Sequence, residues 1–457
     1  MHPKDSHSED LATPKPPGNP IRCAMCSIIV TKWLTHFSRR HPTPAVIITA
    51  AIMILLVCIP SAVTAADWPQ ILGPQRNGTC SGDELIGAFP PAGLKTLWKK
   101  EIGQGFSGPV VSRGKLILFH RLGDREAVEC LNAKTGDRIW AADYPTGYVD
   151  DFGFDPGPRA TPTIAEGRVY TFGAEGMLNC WELASGKSLW RVETKKEFVP
   201  RKGFFGVACS PLVEGRGVIL NIGGTNGAGI VAFDKVTGKL LWKATDDEAS
   251  YSSPVAATIN GKRYVLVLTR AGLAAVGPDN GKVFFQFPWR SRMDASVNAA
   301  SPLVIGDEIF VSASYGTGAA LLRFKESGPE KLWSADGVLS SHYATSVHHD
   351  GFLYGFDGRQ EEGPNLRCVE LKTGQVRWSQ DNFGAGTIIL AGDRLLVLTE
   401  KGELILAPAT PDQFNPVSRT QILPFNSRAY PALADGLYFA RGTDSLVCMD
   451  LRRNPKD

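Results

Sequence analysis

The sequence predicts an all-β chain folded as an eight-bladed β-propeller of four-stranded blades, with seven blades as the alternative. Three observations predict it. A ten-residue phrase recurs: LNAKTGDRIW at 131–140, WELASGKSLW at 181–190, FDKVTGKLLW at 233–242 and VELKTGQVRW at 369–378. The tryptophans that close such phrases are Trp98, Trp140, Trp190, Trp242, Trp333 and Trp378, at intervals of 42, 50, 52, 91 and 45 residues, and Phe285 stands inside the double interval. A period of about 40–50 residues with four β segments per unit marks a propeller, since solenoids of that period are helical. Finally, the two ends complement each other. LKTLWKKE at 94–101 is a fourth strand without its first three, and residues 430–451 are three strands without a fourth. The N-terminal strand is therefore expected to pair with the last blade and close the ring.

Each unit opens on a hairpin, as in RATPTIAEGRVYTF from 159, CSPLVEGRGVILNI from 209 and ASPLVIGDEIFVSA from 300. Two alternating apolar runs flank a Gly-containing turn, and Ser-Pro or Thr-Pro stands near the start. The recurring phrase is the second hairpin. Its Gly takes positive φ in the turn and its Trp sits on the fourth strand. An indole buries about 150–250 Å², which at roughly 25 cal/mol per Å² is on the order of 4–6 kcal/mol as an upper bound. The phrase therefore reads as frame, each Trp wedging against the next blade. The unit ending LILAPATPDQFNPVSRTQI at 404–422 is degenerate, which keeps seven blades open. Cys130, Cys180, Cys368 and Cys448 share one slot of the repeat, in the third strand before the turn. They read as small buried packing residues, held too far apart for disulfides.

Forty-three per cent hydrophobic residues in 457 supply a large core, and a net charge of +3 with scattered Lys and Arg excludes a nucleic-acid partner. Residues 1–66 differ from the rest. Lys32, Arg39 and Arg40 precede the uncharged run PAVIITAAIMILLVCIPSAVTAA, which ends in small residues. This is an export leader, cleaved after Ala65 or Ala66 or retained as a signal-anchor, so everything after it is exported to the periplasm or cell envelope. Cys23, Cys26, His36 and His41 have loosely zinc-like spacing that reads as accidental within a leader. The organisation is thus a leader at 1–66, a lead-in at 67–93 and the propeller at 94–457, with membrane contact only through the N-terminal segment and a monomer expected.

The combination of Ser/Thr-Pro strands, a small residue two before Asn or Asp, Thr-Gly and Trp resembles the pyrroloquinoline quinone (PQQ) enzyme repeat. The resemblance covers residues 94–450, and DWPQILGPQRNG at 67–78 is similar to the lead-in of many exported members. It implies the eight-bladed fold of quinoprotein alcohol dehydrogenases, which also occurs in the outer-membrane assembly lipoprotein BamB and in propellers linked to bacterial serine/threonine kinases. The repeat marks architecture, so function is argued from sites. Quinoprotein dehydrogenases carry a ring of two adjacent bonded cysteines and large insertions. This sequence has neither.

Residues just before each first strand are expected to converge at one mouth of the central channel: Arg159, Tyr251, Ser252, Asn298, His342, Tyr343, Arg428 and Tyr430. Two arginines, a histidine and several hydroxyls suit an anionic or carbonyl-rich ligand; equally, they serve as hydrogen-bonded closures of blade joints. Asp150, Asp151 and Asp155, in the loop YVDDFGFDPGPR, are hard oxygen donors able to hold calcium, or else solvated loop carboxylates. HHD at 348–350 is a hairpin turn, and GGTNGAG at 223–229 lacks the helix and Lys of a phosphate loop. The leading expectation is an exported, non-catalytic propeller without a cofactor, acting as a binding or assembly scaffold for protein or peptide partners. The alternative is a PQQ-dependent quinoprotein with a reduced site, in which those aspartates hold calcium and Arg159 or Arg428 meets the quinone carboxylates.

Overall fold

A computed structural model describes residues 67–453, apart from 83, 84 and 202. The expected leader at 1–66, with Cys23, Cys26, His36 and His41, lies outside the described residues. Among the described residues, no helix is long and apolar enough to cross a membrane.

Eight antiparallel sheets of four strands each follow one another around a ring. The innermost strands of blades 1 to 8 are Val110–Ser112, Thr163–Ala165, Leu212–Glu214, Val255–Ile259, Leu303–Ile305, Val347–His349, Gly386–Ala391 and Ala432–Ala434. The degenerate unit forms a complete blade 7, so the ring has eight blades and not seven. Closure follows the expected route. Thr96–Glu101 pairs antiparallel with Ser445–Asp450 as the outermost strand of blade 8. Arg441 reinforces this closure, its guanidinium donating to the backbone carbonyls of Gly103, Ser107 and Phe119 on the blade 1 side.

Two belts of contacts join the blades, and each explains one element of the repeat. The outer belt is the phrase. The Trp98 indole N–H donates to Ala133 O at 2.9 Å, Trp140 to Leu183 O at 3.0 Å, Trp190 to Lys235 O at 3.3 Å, Trp242 to Pro278 O at 2.9 Å and Trp333 to Leu371 O at 2.8 Å. In each case the acceptor lies three residues before the turn glycine of the next blade. That glycine also underlies the same indole: a Cβ on Gly186 would fall 2.5 Å from the Trp140 ring, and one on Gly281 2.5 Å from Trp242. The glycine therefore serves two ends, the left-handed turn and the seat of the neighbouring Trp.

The inner belt is the Ser/Thr that stands before Pro in blades 2 to 5, and Thr345 in the same slot of blade 6. The N–H of Gly108 donates to Thr161 Oγ1, that of Thr161 to Ser210 Oγ, Ser210 to Ser253, Ser253 to Ser301 and Ser301 to Thr345, at 2.9–3.3 Å. Each hydroxyl accepts a backbone N–H buried at a joint, a group that would otherwise cost about 1–3 kcal/mol. Blade 7 offers no hydroxyl here. The Tyr430 phenol, from blade 8, reaches past it to accept the Thr345 N–H at 2.6 Å.

Residues 67–93 are a working part of the ring. Their first stretch fills the channel: Trp68 bridges Val111 of blade 1, Pro69 O accepts the Ile164 N–H of blade 2, and Thr79–Cys80 adds a parallel strand to blade 7. Arg76 is 2% exposed and gives its guanidinium to the carbonyls of Ser210, Pro211 and Pro254 and to Thr163 Oγ1. Burial lowers its pKa to about 9, which leaves it charged at neutral pH. The later stretch serves blades 7 and 8, a joint that has neither a Trp nor a Phe in the repeat slot. Leu85 and Phe89 are buried there among Leu404, Leu406, Leu423 and Ala432, the Phe89 N–H donates to Ser418 Oγ, and Ile86 bonds Leu451 and Arg394.

All six described cysteines are free thiols. Burial raises Cys130 and Cys180 to about 11 and Cys368 and Cys448 to about 12, so none of these four is a thiolate near neutral pH.

Candidate functional site

The segments that enter the innermost strands all start on one face, so their first residues surround one mouth. There they enclose a cavity of ≈ 330 Å³. Arg159, Tyr251, His342, Tyr343, Arg428 and Tyr430 line it, with Ile71 of the lead-in among the lining residues. Gln70, Arg76 and Asn77 of the same lead-in wall a second cavity of ≈ 540 Å³ against the far ends of the blade 3, 4 and 5 innermost strands. The lead-in thus lies between the two.

Two of the eight expected mouth residues are turned away. Asn298 is buried, its amide donating to Thr269 O and Trp289 O while its backbone carbonyl takes the N–H of both Tyr251 and Ser252. Ser252 is fully buried behind it. Both hold the entry to blade 4 in place and do not line the cavity. Tyr430 lines the cavity while also serving the inner belt.

The two arginines flank Phe106, each guanidinium 5.6–5.7 Å from the ring centroid. Arg159 pairs with Asp150 at 3.1 Å. Arg428 pairs through Nε with Glu400 Oε1 at 3.0 Å, and the Tyr343 hydroxyl donates to the same oxygen at 3.0 Å. Burial raises the Glu400 pKa against the pull of Arg428 and Tyr343, and burial beside Glu400 drives Tyr343 far above the usual phenol range.

His342 is neutral, its pKa lowered by burial. Its Nδ1 accepts the Gln360 N–H at 3.2 Å, so the ring proton sits on Nε2 and is donated to the Tyr315 hydroxyl oxygen at 2.8 Å. Tyr315 comes from the hairpin between the second and third strands of blade 5, and Gln360 and Glu361 from the equivalent hairpin of blade 6. Sequence reasoning missed these because such hairpins vary in length and their tips have no slot in the repeat. The one local signal was Tyr315 before Gly316, where the tyrosine holds φ +63.

The three aspartates do not assemble a cation site. Asp150 accepts the N–H groups of Phe152, Phe154 and Asp155 at 2.9–3.1 Å as well as Arg159. Burial opposes its ionisation, but those hydrogen bonds and Arg159 outweigh it and hold the carboxyl below its ordinary value. Asp155 accepts from Gly105 and Gly157. Both carboxylates are spent on shaping the loop. Among the described residues no three His, Cys, Asp or Glu gather to hold a metal. Asp150 and Asp155 would have to give up these loop hydrogen bonds to take a cation.

What the loop does present is an aromatic rim. Phe152 and Phe154 are 54% and 59% exposed and pack on Phe205 at centroid distances of 5.2 and 6.0 Å, with Phe204 beside Phe152 at 6.1 Å. Phe205 also carries the Arg159 guanidinium on its ring.

The family model described as outer membrane protein assembly factor BamB matches residues 124–380. The chain belongs to this family. It is 26% identical over 188 residues to the BamB of Burkholderia pseudomallei, covering 41% of this chain and 44% of that protein. With the BamB of Moranella endobia it shares 25% over 310 residues, 62% of this chain and 71% of that one. The chain thus spans less than half the length of the first of these relatives. In fold it is similar to BamB from Moraxella catarrhalis, with a TM-score of 0.58 at 14% identity over 78% of this chain and 99% of that one. It is also similar to the quinohemoprotein alcohol dehydrogenase of Comamonas testosteroni, at 0.61 and 13% over 85% and 81%.

Proposed function

We propose that this BamB-family propeller is an exported, non-catalytic scaffold of the cell envelope that holds a protein or peptide partner at its mouth. One observation carries the reading. Phe152 and Phe154 stand more than half exposed beside a cavity whose walls include Phe106, Phe205 and two arginines. Exposed aromatics clustered with arginine are what protein contacts select. The aspartates that would serve a catalytic cation bond their own loop instead. Family membership supports the assembly role, since the curated relatives carry the name of an outer membrane assembly factor.

A photo-reactive amino acid placed at Phe152 or Phe154 in the full chain tests this in cells. One defined adduct with an envelope protein, identified by mass spectrometry and lost in the Phe152→Ser/Phe154→Ser background when the probe is moved to Phe205, is expected. Absence of any adduct contradicts the reading. The quinoprotein alternative rests on the shared fold and the two mouth arginines. Saturable binding of PQQ with calcium, with dye-linked alcohol oxidation, would establish it in place of the scaffold.

A further inference from the structure

The mouth cavity has a surplus of hydrogen-bond donors over an apolar floor. Because His342 gives its Nε2–H to Tyr315, the Tyr315 hydroxyl proton is free to point elsewhere, and no described residue accepts it. The Tyr251 hydroxyl accepts the Phe205 N–H at 2.8 Å, and its own proton likewise has no described acceptor. The two terminal nitrogens of Arg428 make no hydrogen bond to a described residue, its contact with Glu400 running through Nε. The mouth's carboxylates are committed: Asp150 to Arg159 and backbone N–H groups, Glu400 to Arg428 and Tyr343, Glu361 to Arg359 at 3.5 Å. Ile71, Phe106, Ala208, Val297 and Ala299 supply the apolar lining.

Such a chamber takes a group that brings acceptors and no donors, attached to an apolar body. Its ≈ 330 Å³ is close to the lower end of ligand pockets, room for about one large residue. On the protein-partner reading above, on which this inference rests, we infer that the mouth captures the free C-terminal carboxylate of a partner chain. The last side chain is apolar and lies against Ile71 and Phe106, the carboxylate meets Arg428 and the Tyr315 and Tyr251 hydroxyls, and the preceding residues leave across the Phe152 and Phe154 rim. An internal peptide segment has no terminal anion to use these donors, and an amidated end adds donors where none is accepted.

The test is fluorescence anisotropy with the full chain and two labelled pentapeptides ending in phenylalanine, one with a free C-terminal carboxylate and one amidated. The free acid is expected to bind at least about tenfold tighter than the amide. Tyr315→Phe, which removes one hydroxyl and keeps the ring, is expected to weaken the free acid about threefold to tenfold and leave the amide unchanged. Arg428→Gln is expected to remove the preference for the acid altogether. Equal binding of acid and amide, or binding of neither, overturns the inference; the comparison on the unmutated chain does not depend on how any variant folds. Phenylacetate is the third arm. If it binds as tightly as the free-acid peptide, the chamber serves small acids and the chain-terminus assignment is overturned. Failure here with a defined cross-link at Phe152 retained leaves the scaffold reading standing, whereas peptide capture without any cross-linked partner in cells counts against that reading alone.

Discussion

At the blade joints the same contact is made again and again, whereas at the mouth each contributing blade brings a different set of side chains. Five joints use an identical geometry, a Trp indole lying over the next blade's turn glycine and bonding the carbonyl three residues before it. The mouth draws Phe106 from blade 1, Arg159 from blade 2, Ala208 from blade 3, Tyr251 from blade 4, Val297 from blade 5, His342 from blade 6 and Arg428 from blade 8. Repetition marks the part that carries stability, and divergence marks the part free to acquire a ligand. The joints that depart from the pattern sharpen the lesson. Blades 4 and 5 meet through Phe285 on Phe324, centroids 5.5 Å apart, and blades 6 and 7 through Trp378 on Phe414, also 5.5 Å. Blades 7 and 8 depend on Leu85 and Phe89 from the lead-in.

The largest effects are expected where the frame is cut. Trp140→Ala removes an indole from the joint of blades 1 and 2 and is expected to cost about 3–5 kcal/mol in urea unfolding. Arg76→Ala leaves the Ser210 and Pro254 carbonyls without their donor and is expected to cost about 3 kcal/mol or more. If Arg76→Ala unfolds at the same urea concentration as the parent, the lead-in is an accessory and not a hub.

Glycines separate the two uses of the phrase. Gly186 and Gly167 both hold φ +75, but a Cβ on Gly186 meets the Trp140 ring whereas one on Gly167 meets nothing within 4 Å. Gly186→Ala is expected to cost roughly 2–4 kcal/mol, from the strained turn plus the displaced indole, and Gly167→Ala only about 1 kcal/mol, from the turn alone. Equal costs would mean that the Trp seat contributes nothing.

A gradual effect, spread over several pH units, is expected from pH. His120 is buried, accepts the Gly103 N–H on Nδ1 at 2.8 Å and lies between Arg441, Lys100 and, at 3.9 Å, Glu129. Burial first, then the two cations, lower its pKa to about 3. The unfolded chain titrates near 6.5, so between about 6.5 and 3 the unfolded state binds the extra proton. Stability should therefore fall as pH drops through that window, by at most about 1.4 kcal/mol per unit, and this term should be flat above it. His120→Asn, which keeps an acceptor for Gly103, should remove that share of the slope; an unchanged slope would place its origin elsewhere.

The ring, its closure and the Trp–blade contact were legible because period and alternation are properties of the chain itself. The inner belt was half legible: Ser/Thr-Pro was visible as a recurrence, but its acceptor role depends on where the preceding blade's N–H falls. Arg76 was not legible, because one charged residue in GPQRNGT reads as surface until the surrounding blades remove its water. Asp150 misled for the opposite reason. Three carboxylates close in sequence have the composition of a cation site, and only the folded loop shows their lone pairs turned onto Phe152, Phe154, Asp155 and Arg159. Tyr315 and Gln360 lie on hairpin tips outside the repeat, so no alignment of units reaches them.

The separation of frame from mouth is tested most directly by Phe152→Ser/Phe154→Ser, read by thermal unfolding and by partner cross-linking from a probe at Phe205. Being exposed and off the belts, the pair is expected to shift stability by no more than about 0.5 kcal/mol while abolishing the adduct. An unchanged adduct, or a collapse in stability with it, would contradict the account.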